Sequence, residues 1–154
     1  MMTIAEYLAT PYMEDLKGGR GMTAEDPVDF YVAVSGCSEV EARAYAEAED
    51  ESMYLMGIMP DVAHPERIDA LSEEEIKAIL PGDRVFDYDT VKRYIDTTRK
   101  KNPDLVPLGD DLISLMYALS FIFVIWVSNG EDPDPDTLTY AQEEADRYAA
   151  GRRG

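Results

Sequence analysis

Sixteen consecutive residues, Leu112 to Val127, include only two polar interruptions, Ser114 and Ser120. A run of that kind must be wrapped by the rest of the chain or lie in lipid. It is shorter than the ~20 residues of a membrane span. Both flanks are acidic, without the Lys or Arg that orients a span. Asp110 and Asp111 suit a helix start and Asn129-Gly130 a helix stop. The run therefore predicts a buried central helix over about 111–128. The β-branched and aromatic segment "FIFVIWV" (121–127) leaves a buried strand as the alternative.

The remaining segments are marked by helix starts. "TIAE" (3–6) and "SEVE" (38–41) are capping boxes, in which a Ser or Thr hydroxyl and a Glu carboxylate satisfy free amides reciprocally, and "SEEEIKAIL" (72–80) reads as a short capped helix. Pro11 suits a first helical turn, and "GGRG" (18–21) reads as a loop. "DPVDFYVAVSG" offers Asp26 as cap, Pro27 at the first helical position and Gly36 as terminator; "FYVAV" alone also fits a short strand. The helix after Ser38 is expected to run to about Gly57. "DVAHPERIDAL" is expected to be irregular or a single turn. The helix after Ser72 should stop at Pro81-Gly82. Another is expected from about Asp89 to Asn102-Pro103, with Val91, Tyr94 and Ile95 on one face. A last one is expected over about 137–150, capped by Asp136 or Thr137 and ended by Gly151. The predicted fold is mainly α: a single domain, 1–154, built as a bundle of about six to seven helices around the apolar one.

Charge dominates the composition. The 154 residues carry 32 acids and 14 bases, a formal net charge of −18. Such a chain repels nucleic acid and anionic membranes, which excludes direct nucleic-acid binding and attachment to an acidic bilayer. The acids are not evenly spread. Residues 21–75 hold 15 acids and two bases, 84–101 hold three acids and six bases, and 102–146 hold ten acids and no base. On the helix after Ser38, Glu39, Glu41, Glu47, Glu49, Asp50 and Glu51 have only Arg43 as a base of their own. Their density points to a partner outside the chain. Together with Glu73, Glu74 and Glu75 they form the candidate partner-binding set. Rows of carboxylates on rigid helices imitate duplex phosphates, spaced about 1.7 Å per charge along the axis.

A second candidate is "DPDPDTLTYAQE" (132–143). Asp132, Asp134, Asp136 and Glu143 fall at positions 1, 3, 5 and 12 of a twelve-residue window, the ligand spacing of an EF-hand calcium loop. The loop departs from that pattern at Thr137, where Gly makes the sharp turn, and at Thr139, where an apolar residue is usual. Pro133 and Pro135 stiffen it. The resemblance covers these twelve residues and implies at most Ca²⁺ as a ligand. A stiff acidic connector is the simpler account.

Other signals are thin. The single cysteine, Cys37, excludes an internal disulfide framework and suits a reducing cytosol. "MMTIAEYLATPYMEDLKGG" lacks the basic region and apolar run of a secretory signal. His64 stands alone in "AHPER". "VAVSGCSEVEARAYAEA" has the outline of a helix-turn-helix, but its second helix is acidic and unsuited to a major groove. Glu47/Asp50 and Glu143/Asp146 have the i, i+3 spacing of a carboxylate pair for Mg²⁺ chemistry. Tyr45, Tyr54, Tyr88, Tyr94, Tyr140 and Tyr148 are expected at the core edge, hydroxyls in water, with an interface role if they stand among carboxylates. Met53, Met56 and Met59 are expected to pack in the core.

The expected function is that of a non-enzymatic, cytoplasmic acidic binding protein without a cofactor. It would occupy the positive surface of a basic, nucleic-acid-handling protein, as DNA mimics, anti-CRISPR proteins and toxin-immunity proteins do. The alternatives are a calcium-binding module, a small Mg²⁺-dependent helical enzyme, and a structural or assembly factor. Acidity of this kind also suits salt adaptation.

Overall fold

In a computed structural model, which describes residues 1–19, 22–83 and 85–153, the chain is mainly α-helical, with 69% of its residues in helices. Nine α-helices are present among the described residues, and no strand. They are α1 (Ile4–Leu8), α2 (Pro11–Leu16), α3 (Glu25–Ser35), α4 (Glu39–Leu55), α5 (Pro65–Asp69), α6 (Glu73–Ile79), α7 (Tyr88–Lys101), α8 (Asp110–Val124) and α9 (Pro135–Arg153). A π-helical stretch, Ile125–Asn129, continues α8. The number exceeds the expected six to seven because α2 and α5, of six and five residues, are helices where only turns were expected. Helices this short are marginal alone and persist through caps and packing. Arg20 and Gly21 of "GGRG", and Arg84 at the start of the basic stretch, lie outside the described residues.

The residues form two compact units. One comprises Met1–Ala42 with Asp110–Gly154, the other Arg43–Gly109, so the division falls inside α4.

In the first unit α8 packs against α3 and α9, and α1 packs against α2, α3 and α9. Leu112, Leu115, Met116, Leu119, Ile122 and Phe123 of α8 are buried. Complete burial of each such side chain contributes roughly 1.5–3 kcal/mol. Phe30 of α3 is fully buried, with ring centroids 5.2 Å from Tyr7 and 5.6 Å from Phe123. The segment 121–127 is helical throughout, α to Val124 and π from Ile125. The whole element, Asp110–Asn129, is 20 residues and meets the length and composition of a membrane span, longer than the apolar run alone suggested. Of its most apolar stretch, 56% is buried within the protein.

The π stretch turns Trp126 inward. Its Nε1 donates to the Met13 carbonyl at 2.8 Å, and Lys17 Nζ lies 4.4 Å from the ring centroid. Lys17 also pairs with Asp132 at 3.0 Å. Gly130 closes the stretch with φ +65°, the left-handed conformation that favours glycine.

In the second unit α7 buries Val91, Tyr94, Ile95 and Thr98, one face at helical spacing, and packs against α6. Ser72 and Glu75 complete the capping box of α6, and Asp87 caps α7 through the Thr90 amide at 2.9 Å.

Two expected caps differ. Asp26 does not cap α3; its carboxylate accepts from the Thr23 amide at 2.6 Å, and Ala24 stands at the cap without a side-chain bond. α9 starts at Pro135, whose fixed φ suits a first turn, so Asp134 rather than Asp136 or Thr137 accepts from the Thr137 amide, at 3.3 Å. Gly151 lies inside α9 rather than ending it.

Candidate functional site

The acids singled out on α4 divide by depth. Glu39 is exposed, while Glu41, Glu47 and Asp50 are half-buried. Glu49 is 6% exposed and Glu51 1%, so neither is accessible to a partner. Both are satisfied internally. Glu49 accepts from the Tyr45 hydroxyl at 2.6 Å. Glu51 accepts from Arg67 Nη1 at 3.1 and 3.2 Å and from the Tyr94 hydroxyl at 3.0 Å. Arg67 also reaches Glu47 at 3.4 Å, and His64 Nε2 lies 3.4 Å from Glu47. The expectation that α4 lacks partners for its acids therefore fails in the second unit. The bases come from α5 and the loop before it, positions that helix periodicity along α4 cannot reveal.

The electrostatics follow from burial. Desolvation raises the pKa of Glu51, outweighing the lowering by Arg67 and the Tyr94 hydroxyl. Tyr94 is raised by burial and then by the Glu51 charge beside it. Asp50 is pushed up to about 6, first by burial and then by Glu47. Arg99 is lowered by burial and by the nearby Arg67. Tyr45 and Tyr94 are fully buried and Tyr148 nearly so, which corrects their expected place at the core edge. Tyr54 and Tyr140 are exposed and Tyr88 is half-buried. Met53, Met56 and Met59 are half-buried.

On α6, Glu73 and Glu74 are exposed at the N-terminus. Glu75 is held by Lys101 Nζ at 2.7 Å, and with the Ser72 amide this lowers its pKa to about 2. The C-terminal bases of α7 are thus partly spent inside the same unit. Arg99 donates to the Val106 carbonyl at 3.1 Å and Arg93 to the Ile79 carbonyl at 3.0 Å.

Asp132, Asp134, Asp136 and Glu143 are all exposed. They do not share a loop, because helix α9 begins at Pro135. Eight residues of helix carry the chain about 12 Å from Pro135 to Glu143, whereas a calcium ion needs its ligands within about 2.6 Å. Asp132 is turned to Lys17 and Asp134 to Thr137. Among the described residues no group of three or more His, Cys, Asp or Glu side chains is placed to hold a metal ion.

A cavity of about 300 Å³ in the second unit is lined by Glu66, Arg67, Thr98 and Lys101 with apolar walls from Leu71 and Leu105. Both of its cations already hold carboxylates, Glu51 and Glu75. His64 Nδ1 lies 3.1 Å from Glu66. Cys37 is buried at the turn before α4, where its amide donates to Ser35 Oγ.

The outward balance is lopsided. Of the 32 acids, 23 are exposed and only Asp26, Glu49 and Glu51 are buried. Among the bases whose side-chain exposure is described, Lys77, Lys100, Lys101 and Arg147 are the exposed ones. Glu131, Asp132, Asp134, Asp136, Glu143 and Asp146 are all exposed, a stretch that includes the 132–143 window whose spacing suggested a calcium loop. Comparison with protein-family models, with curated proteins and with solved structures finds no match.

Proposed function

We propose that the protein is a non-enzymatic binding protein that docks, through its acidic surface, on the positive surface of a basic partner that itself handles nucleic acid. The observation that carries this reading is the exposure of 23 acids, against four exposed bases among those whose side-chain exposure is described. A field of one sign steers an oppositely charged protein and excludes nucleic acid from the same surface. The acids on offer are, in the first unit, Glu39 with Glu131, Asp132, Asp134, Asp136, Glu143 and Asp146, and, separately in the second unit, Glu73 and Glu74 on α6. Glu49 and Glu51 are not among them. An inhibitor of a nucleic-acid-binding protein, of the anti-CRISPR, DNA-mimic or toxin-immunity kind, is the concrete form, and a cytoplasmic location goes with it.

The test is capture of partners on the immobilised full chain, at about 50 and about 200 mM salt, followed by competition with duplex DNA. Recovery of basic proteins at low salt, lost at higher salt and displaced by DNA, supports the reading. Salt-indifferent capture, or none, would overturn it. A melting temperature that climbs steeply with salt, without a partner, would assign the acidity to salt adaptation.

A further inference from the structure

We infer that the cavity between the start of α1 and α9 receives a lysine or arginine side chain of the basic partner, its apolar stem against Ala5 and Leu138 and its charge against Glu143. The inference rests on the acidic-surface reading and gives that reading a subsite.

The cavity lies within the first unit, measures about 370 Å³ and opens to solvent. Thr3 and Ala5 line it on one side, and Leu138, Thr139, Gln142 and Glu143 of α9 on the other. Most of its wall is apolar surface. A bond between the two helices fixes its shape. The Ile4 amide donates to Gln142 Oε1 at 2.8 Å, and Gln142 Nε2 donates in turn to Asp146 at 2.9 Å. Both ends of the Gln142 carboxamide are thus engaged. Thr3 is engaged as well. Its hydroxyl accepts from the Glu6 amide at 3.1 Å, and its amide donates to the Glu6 carboxylate, the capping box of α1. Glu143 is the one charged group on the wall. It is exposed, and among the described residues it takes part in no hydrogen bond or ion pair.

These features select a long basic side chain. Lys and Arg bury an aliphatic stem along apolar surface and keep the charged head in water. The cavity gives the stem apolar walls and gives the head a carboxylate at the solvent edge. None of its six lining residues is a cation, and Arg147, one turn beyond Glu143, is held by Glu144. Glu6, Asp136 and Asp146, exposed on the same two helices, add to the negative field. An anionic ligand is repelled by that field, and a neutral one gains nothing from Glu143. A second copy of the chain is opposed by a charge of −18 on each molecule. Tyr140, 55% exposed, stands one turn before Glu143, where its ring can flank a bound guanidinium.

The probes are N-acetyl-lysine amide and N-acetyl-arginine amide, titrated into the full chain with labelled Ala and Leu methyls and followed by NMR. Saturable shifts of the Ala5 and Leu138 methyls are expected. Glu143→Gln, which removes the charge and keeps the shape, should weaken binding at least about threefold. Glu131→Gln makes the same charge change outside the cavity and should leave binding as it is. N-acetyl-norleucine amide, a stem without the charge, should bind more weakly than either probe. Both substitutions fall on exposed side chains, and circular dichroism checks their folding. Equal binding by wild type and Glu143→Gln would overturn the inference while leaving the acidic-surface reading in place. So would equal losses in the two variants, equal binding of the norleucine probe, or no shift at Ala5 and Leu138. In capture of basic proteins at low salt, Glu143→Gln should recover less than Glu131→Gln. Equal capture by the two variants would assign the cavity to a free small amine and overturn the proposal. A dimer in sedimentation that Glu143→Gln abolishes would assign it to self-association and overturn it too. Failure of the acidic-surface reading is separate, and would appear as no salt-dependent capture by the wild-type chain.

Discussion

Arg67 Nη1 lies 3.1 and 3.2 Å from the two carboxylate oxygens of Glu51, a side chain only 1% exposed. The pair joins α5 to α4 within the second unit, and the Tyr94 hydroxyl adds a bond from α7 at 3.0 Å. A carboxylate so deeply buried depends on that guanidinium.

Arg67→Met is expected to cost about 3–5 kcal/mol, because it strands the Glu51 charge. Adding Glu51→Gln, which keeps an acceptor for Tyr94, should recover more than half of the loss. Urea denaturation of the two single variants and the double variant measures the cycle. Additive losses would mean that the pair is not coupled.

Asp50 gives the second unit a pH term of definite sign. Its folded pKa, about 6, lies above the ordinary 3.8. Between roughly pH 4 and 6 the folded chain keeps a proton that the unfolded chain releases, so this group's contribution falls as pH rises through that window. Asp50→Asn should therefore be progressively more stable than wild type from pH 4 to 6, with a constant difference above. A flat difference across the window would contradict the shift.

Glu75 behaves in the opposite way. Its pKa of about 2, against an ordinary 4.5, comes first from Lys101 and then from the Ser72 amide. Its contribution is present above pH 4.5 and is lost as pH falls through 2. Lys101→Ala should return the carboxyl most of the way to its ordinary value, read by carbon-detected NMR titration. No movement would mean that Lys101 does not hold it.

Trp126→Phe removes the donor to the Met13 carbonyl and replaces the indole under Lys17 by a smaller ring. A buried bond of this kind costs about 1–3 kcal/mol to leave unmade. Thermal denaturation should fall by several degrees. An unchanged melt would place the link between the π stretch and α2 outside the fold's energetics.

Calcium titrated into the full chain is expected to give no saturable heat beyond that of Asp132→Ala and Glu143→Ala. The helical start at Pro135 separates those carboxylates. A stoichiometric isotherm abolished by either variant would overturn this.

The helices were largely legible because their signals are local. The two capping boxes at Thr3 and Ser38, the cap before α6, the Pro at the start of α2, the stop at Gly36 and the periodic face of α7 each act over one or two turns. Asp26 and the start of α9 were misplaced for the same local reason. Several acids and a Pro compete for each cap, and spacing alone does not choose among them. The calcium spacing of 132–143 was legible as spacing and misleading as geometry, since the pattern carries no record of whether its residues are loop or helix.

By itself the sequence determined that this chain is helical, acidic and organised around an apolar segment, because charge, composition and helix caps do not depend on distant contacts. Only the tertiary structure decided which acids face water. Glu51 and Glu49 look like Glu39 in the sequence and differ from it entirely in the fold. Arg67 and Tyr94 reach Glu51 across 16 and 43 residues of chain. The exposure of Phe121 and Val124 was decided in the same way. An apolar side chain is buried only where a neighbour arrives to cover it, and that is a property of packing, not of the residue.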